Sequence, residues 1–187
     1  MKELSLNVLD IAKNSVKARA TLISISIEET EDTLRLTVAD DGCGMTEEIL
    51  ESVTNPFCTT RTTRKVGMGI PLLKLAAEQT GGEIAIVSRH ESVYPNTHGT
   101  EITALFYRNH IDFTPMGDIT STLTTLIQGS PEIEWVFLHR TEKGDVTLDT
   151  RQLREILGAD IPLNSSEILT WIGEYLGEQY QSIQNQL

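Results

Sequence analysis

The sequence predicts an α/β protein, on three observations. Residues 3–19 carry apolar side chains at helical spacing. The stretches 21–29 and 34–39 then alternate apolar with polar residues. A second helical run, 70–77, is again followed by two strand patterns.

The first helix gathers Leu4, Val8, Ile11, Ala12, Ser15 and Val16 on one side at about 100° per residue. Asn7, Asp10, Asn14 and Lys17 gather on the other, which reads as a solvated face. Asp10 and Asn14 stand one turn apart, a carboxylate beside a carboxamide, suited to orienting a water or a hydrated hard cation. Ile23, Ile25 and Ile27 alternate with Ser24 and Ser26 in the first strand. Leu34, Leu36 and Val38 mark a second, which pairs with it as a hairpin and delivers Asp40 to its end. Asp40-Asp41-Gly42-Cys43-Gly44-Met45 follows, an acid and then glycines that permit a sharp backbone path. A carboxylate held there in a pocket could accept a hydrogen bond from an exocyclic amine such as that of adenine. Thr46 to Val53 reads as a short helix with Thr46 as cap.

Asn55 to Gly82 is the stretch around which the rest is organised. Thr59 to Lys65 is polar throughout and sets Arg61, Arg64 and Lys65 together in an otherwise acidic chain. Gly67-Met68-Gly69-Ile70 opens the helical run and Gly81-Gly82 closes it. Glycines before a helix let backbone approach an anion, and the helix start favours negative charge. The segment therefore reads as a phosphate-binding lid and helix start. Strands follow at Glu83–Arg89 and Thr100–Tyr107. His90-Glu91 with Pro95 matches a phospho-acceptor pattern only superficially, because it lies between strands and not on a long helix.

Composition bounds the function. At 187 residues the chain holds one medium domain, or a domain with a smaller appendage. A net charge of -12 argues against non-specific binding to nucleic acid or anionic membranes. No apolar run approaches the roughly 20 residues of a membrane span, and the N-terminus lacks a cleavable signal pattern. Cys43 and Cys58 have neither metal-ligand spacing nor a disulfide framework, so a reducing cytoplasm is expected.

In order and spacing, LDIAKNSVKARAT, ADDGCGM, NPFCTTR with VGMGIPLLKLAAEQTGG, and HGTEI resemble the GHKL superfamily of ATP-binding domains. That superfamily takes in histidine kinases, anti-sigma serine kinases, gyrase-type topoisomerases and MutL-type repair proteins. The resemblance covers about residues 3 to 107. It implies a two-layer α/β sandwich of the Bergerat type, with a mixed sheet and the site between helices and sheet. It implies ATP and Mg2+ as cofactors, with Asn14 as the ligand of the nucleotide-bound metal and Asp40 as the partner of the adenine amino group. Gly42, Gly44 and Thr100 would surround the base, and Lys17 and Met45 would also belong to the nucleotide site. Gly67, Met68, Gly69 and Ile70 would meet the phosphates, and Arg61 would be a lid cation near the γ-phosphate. Asp10 stands where hydrolytic members carry a glutamate base, one methylene shorter.

Residues 1–109 are thus expected to form the ATP-binding domain and 110–187 a small α/β module of unknown function. In that module Ile119–Ile127 reads as a helix, with strands at Trp135–Arg140 and Val146–Leu148. Asp149 and Asn164 read as caps of two further helices, and Trp171 and Tyr175 as core. Few residues precede the first helix, so a phospho-acceptor is expected on another protein. The expected function is that of a histidine kinase-like Mg-ATP-binding protein in cytoplasmic signalling. It would be an ATP-dependent kinase or ATPase, with a protein partner as acceptor or regulator and a homodimer as a further expectation. The alternatives are a non-hydrolysing nucleotide-sensing module and, last, a MutL-like DNA-linked ATPase.

Overall fold

The computed structural model describes residues 3–54, 69–158 and 161–185. Six strands form one mixed sheet in the order β3-β4-β2-β1-β5-β6. They are β1 (Leu22–Glu29), β2 (Thr33–Asp40), β3 (Glu83–Arg89), β4 (Gly99–Tyr107), β5 (Glu134–Thr141) and β6 (Gly144–Asp149). β1 and β2 make the expected antiparallel hairpin, with Ile25 opposite Val38. β1 also pairs in parallel with β5, setting Ile23 beside Trp135. The other neighbours are antiparallel.

The helices are α1 (Leu4–Lys17), α2 (Glu47–Thr54), α3 (Gly69–Gln79), α4 (Ile119–Gly129), α5 (Thr150–Leu157) and α6 (Ser166–Gln184). Four of them lie side by side as α3-α1-α4-α6, following the sheet from its β3–β4 edge to its β6 edge. This is a two-layer sandwich. The isoleucines of β1 and Leu34, Leu36 and Val38 of β2 point into the single core, where they meet Leu4, Val8, Ile11 and Ala12 of α1. On the outer face Thr37 and Thr103 bond each other across strands at 3.1 Å. Trp135 and Phe137 of β5 join the same core, so the C-terminal strands extend the sheet rather than closing a core of their own.

Local signals explain the element ends. α1 closes with Ala20 N–H donating to the Ser15 carbonyl and Arg19 N–H to that of Val16, the Schellman arrangement. Its left-handed position is filled by Arg19, at φ 62°, where glycine is the usual residue. Asp149 caps α5 as expected. α6 is capped by Ser165, whose hydroxyl accepts from Ile168 N–H, and not by Asn164 one residue earlier.

Three side chains depart from their expected environments. Asn7 is fully buried, and among the described residues neither its Oδ1 nor its Nδ2 has a hydrogen-bond partner. α1 is covered by α3 and α4 as well as by the sheet, so its polar side is not uniformly solvated. Trp171 and Tyr175 are exposed, because Ile172 and Leu176 form the buried stripe of α6, with Ile168, Leu169, Tyr180 and Ile183 packed partly buried beside them.

Candidate functional site

The end of β2, the last turns of α1 and the start of α3 converge on one cavity of about 200 Å3. Its lining includes Asn14, Ser15 and Lys17 from α1, Ala18 just after it, Asp40 from β2, and Gly44 and Met45 from the turn that follows. Ile70 of α3 and Thr100 of β4 also line it, with Ile11, Ile49 and Ile102. Residues from distant parts of the sequence meet here because β2 runs beneath α1 while β4 pairs with β2, bringing Thr100 opposite Asp40.

Asp40 is held from two directions. Ser15 Oγ donates to its Oδ2 at 2.5 Å, and Gly42 N–H to its Oδ1 at 2.9 Å. Ser15 is itself buried. In the sequence Ser15 is only one member of the apolar side of α1; its role as the acid's partner appears once β2 is set against α1. The neighbouring Asp41 fastens the start of β1, accepting from Thr21 N–H, Thr21 Oγ1 and Leu22 N–H. Burial pushes its carboxyl up, but these hydrogen bonds together hold it below the usual range.

The glycine turn is clamped on both sides. Cys43 N–H donates to the Ala18 carbonyl at 2.8 Å, and Glu91 N–H to the Cys43 carbonyl at 2.9 Å. His98 Nδ1–H donates to the Gly42 carbonyl at 2.7 Å. Gly44 lies at φ +69°, and a Cβ there would come 2.1 Å from the Arg89 carbonyl oxygen, so only glycine fits. Met45 N–H donates to Ser88 Oγ at 2.8 Å, and Ser88 shares a hydroxyl hydrogen bond with the buried Thr100 at 2.8 Å. Ser88 and His98 thus support the cavity, although nothing in their sequence surroundings singled them out.

At the other end, Gly69 brings the first turn of α3 against Asp10; a Cβ on Gly69 would approach Asp10 Cβ to 2.9 Å. Asp10 itself is exposed. Asn14 lies one turn beyond it, on the cavity. A helix start beside an asparagine and an aspartate is an arrangement that can receive phosphate oxygens and a cation carried with them. Arg61, Gly67 and Met68 lie outside the described residues.

A second cavity of about 450 Å3 opens at the opposite end of β1, lined by Glu29, Arg108, His139 and Tyr180 among others. Its polar groups are occupied with one another. Glu29 accepts from Arg108 at 2.6 Å and from His139 Nε2–H at 3.1 Å, and His139 Nδ1 accepts from the Tyr180 hydroxyl at 2.9 Å. The His139 hydrogen bond, and then Arg108, hold the Glu29 carboxyl below its usual range against the upward push of burial. Burial, with Glu29 nearby, raises the Tyr180 hydroxyl. This network ties α6 to the sheet.

Residues 2–110 match the family model for the histidine kinase-, DNA gyrase B-, and HSP90-like ATPase. The chain is 27% identical over 90 residues to a sensor histidine kinase NtrY-like protein of Rickettsia bellii (strain RML369-C). That alignment takes in 48% of this chain and 15% of the relative, so the chain spans a small part of that protein's length. Among solved structures, the N-terminal domain of a DNA repair protein superposes with a TM-score of 0.53 at 17% identity. The superposition covers 85% of this chain and 58% of that one. The Aquifex aeolicus MutL ATPase domain complexed with ADP gives 0.52 at 16% identity, over 84% of this chain and 69% of that one. Shares this large reach past residue 110, so the likeness in fold includes part of the C-terminal stretch. In its motifs, in its sheet and over the matched span, the chain belongs to the family of histidine kinase-, DNA gyrase B- and HSP90-like ATPases.

Proposed function

We propose that the chain binds Mg-ATP in the three-segment cavity and acts as a histidine kinase-like regulator that passes phosphate, or the bound state itself, to a protein partner. The observation that carries this is the shared lining of Asn14, Asp40, Thr100 and Ile70. The anchored Asp40 carboxylate accepts the adenine amino group, with Gly42, Gly44, Met45 and Thr100 around the base and Lys17 at its edge. Asn14 offers an oxygen to Mg2+, and the backbone at Gly69 and Ile70 meets the phosphates. Among the described residues no cluster of three or more His, Cys, Asp or Glu could hold a metal. That fits an ion arriving with its nucleotide, since Mg2+ keeps waters and phosphate oxygens and needs only one or two protein ligands. Bound there, Mg2+ would neutralise charge on the phosphates. Asp10, beside the helix start, orients a water or the incoming acceptor group.

Transfer to a partner is favoured by one further fact: none of the four histidines lies on a helix. Titration calorimetry with ATP, with and without Mg2+, tests binding. Incubation with labelled ATP and candidate partners tests transfer; neither label transfer nor turnover would end the enzymatic part.

The second reading is a nucleotide sensor without turnover. It is favoured by Asp10, whose short side chain stands in the place of a glutamate base, and by the parallel pairing of β1 with β5. Through that pairing, residues 110–187 would act as a module reading the nucleotide state. Protection of residues 55–68 from proteolysis by ATP, without hydrolysis, supports it; steady turnover contradicts it. DNA-linked work comes last, because the net charge of -12 opposes a phosphate backbone. Salt-dependent DNA binding would reverse that order.

A further inference from the structure

The C-terminal helix carries chemistry that the nucleotide cavity does not use. Trp171 and Tyr175 stand one turn apart on α6 with their rings stacked, centroids 5.0 Å apart and planes 10° from parallel. Trp171 is 44% exposed and Tyr175 37%. The helix is held to the core by Ile172 and Leu176, so the aromatic pair is not what anchors it. Glu167, Glu174 and Glu178 are exposed along the same outward side, at spacings that bracket the two rings. From Glu155 to Leu187 the chain has five acidic residues and no lysine or arginine, so nothing within this segment neutralises them.

We propose that this face of α6 docks an arginine-bearing, basic segment of a partner protein. A stacked indole and phenol present a broad flat π-surface to solvent. A guanidinium is planar, weakly hydrated and always charged, and it stacks on such a surface while donating to carboxylates at its rim. Lysine, a strongly hydrated point charge, uses the same surface less well. A second copy of this chain is disfavoured as occupant, because two such faces would set glutamates against glutamates. The surface lies on α6, away from the residues that line the nucleotide cavity, and does not depend on the reading of that site.

The test uses the full chain and three short peptides of one sequence, with arginine, lysine or uncharged citrulline at positions one helical turn apart. Trp135 is buried at 1% exposure, so acrylamide quenching reports on Trp171 selectively. The arginine peptide is expected to shield Trp171. Measured by anisotropy of labelled peptide, the lysine form binds several-fold more weakly and the citrulline form roughly tenfold or more. Replacing Trp171 and Tyr175 together by alanine weakens the arginine peptide by a similar factor while far-UV circular dichroism is unchanged. Glu174→Gln with Glu178→Gln flattens its salt dependence. Equal binding of the arginine peptide to the doubly substituted chain would reduce the effect to general attraction by net charge and overturn the proposal. So would equal binding of all three peptides, or shielding of Trp171 by raised chain concentration alone.

Discussion

Asp40→Asn is the substitution on which the nucleotide assignment can be decided. Asparagine keeps the size of aspartate and one carbonyl-type oxygen, so the bond from Gly42 N–H, now 2.9 Å, can persist. The bond from Ser15 Oγ, now 2.5 Å, need only reverse, with the hydroxyl accepting from the new amide. The fold should therefore survive. What is lost is the charged acceptor on the cavity wall. Hydrogen bonds to charged groups are worth about 1.5–3 kcal/mol against about 1 for neutral ones. In addition, an amide N–H turned to the cavity would oppose the adenine amino group. A loss of about 1.5–3 kcal/mol follows, or roughly 10- to 150-fold in Kd. Calorimetric titration with ATP reads this directly, with circular dichroism as the check on folding. A Kd within about twofold of the unsubstituted chain would refute the adenine assignment.

Four further expectations use the same structure. Asn14→Ala should abolish the gain in ATP affinity that Mg2+ gives while leaving adenosine binding intact; equal loss of both would make Asn14 structural. Asn7→Leu, nearly isosteric, removes a buried carboxamide that has no partner among the described residues and should stabilise the chain by about 1–3 kcal/mol in denaturant unfolding. A drop in stability would contradict that reading. Arg19→Gly relieves the left-handed backbone at the end of α1 and gives up only the exposed ion pair with Glu91, so a gain of roughly 0.5–1 kcal/mol is expected. A lower midpoint would argue that the ion pair outweighs the strain. Glu29, whose carboxyl is depressed when folded, contributes stability above the ordinary glutamate value of 4.5, and this is lost as pH falls through the lower folded value. Glu29→Gln should thus reduce the loss of stability on acidification below that value, and an unchanged acid limb would count against it.

Much of this was legible in the sequence where a local pattern decides the outcome. The alternation of Ile23, Ile25 and Ile27 with serines can only be a half-buried strand, and β1 is one. The Asp40-to-Met45 stretch signalled a turn and an acid at a strand end, and both are present. The misreadings occurred where the answer depends on what covers a surface. Asn7 lies on the polar side of α1 by helical phase, yet the layer order buries it. Trp171 and Tyr175 are large and apolar, yet Ile172 and Leu176 already fill the inward stripe of α6. Ser15 and Ser88 are ordinary residues until β2 and β3 set them against Asp40 and Thr100. The parallel pairing of β1 with β5 joins residues too far apart in sequence for any local signal to announce it. Ser165 and Asn164 are both competent caps, and only backbone geometry chooses between them.

Nucleotide binding as proposed requires distant segments to build a single pocket for a purine and a metal-chelated triphosphate. A crystal structure with ATP and Mg2+ tests it most directly. With both bound, the adenine amino group is expected about 3 Å from an Asp40 oxygen, the metal on the Asn14 carboxamide oxygen, and the phosphates at the first turn of α3. Nucleotide bound anywhere else, or an empty cavity at saturating ATP, would contradict it.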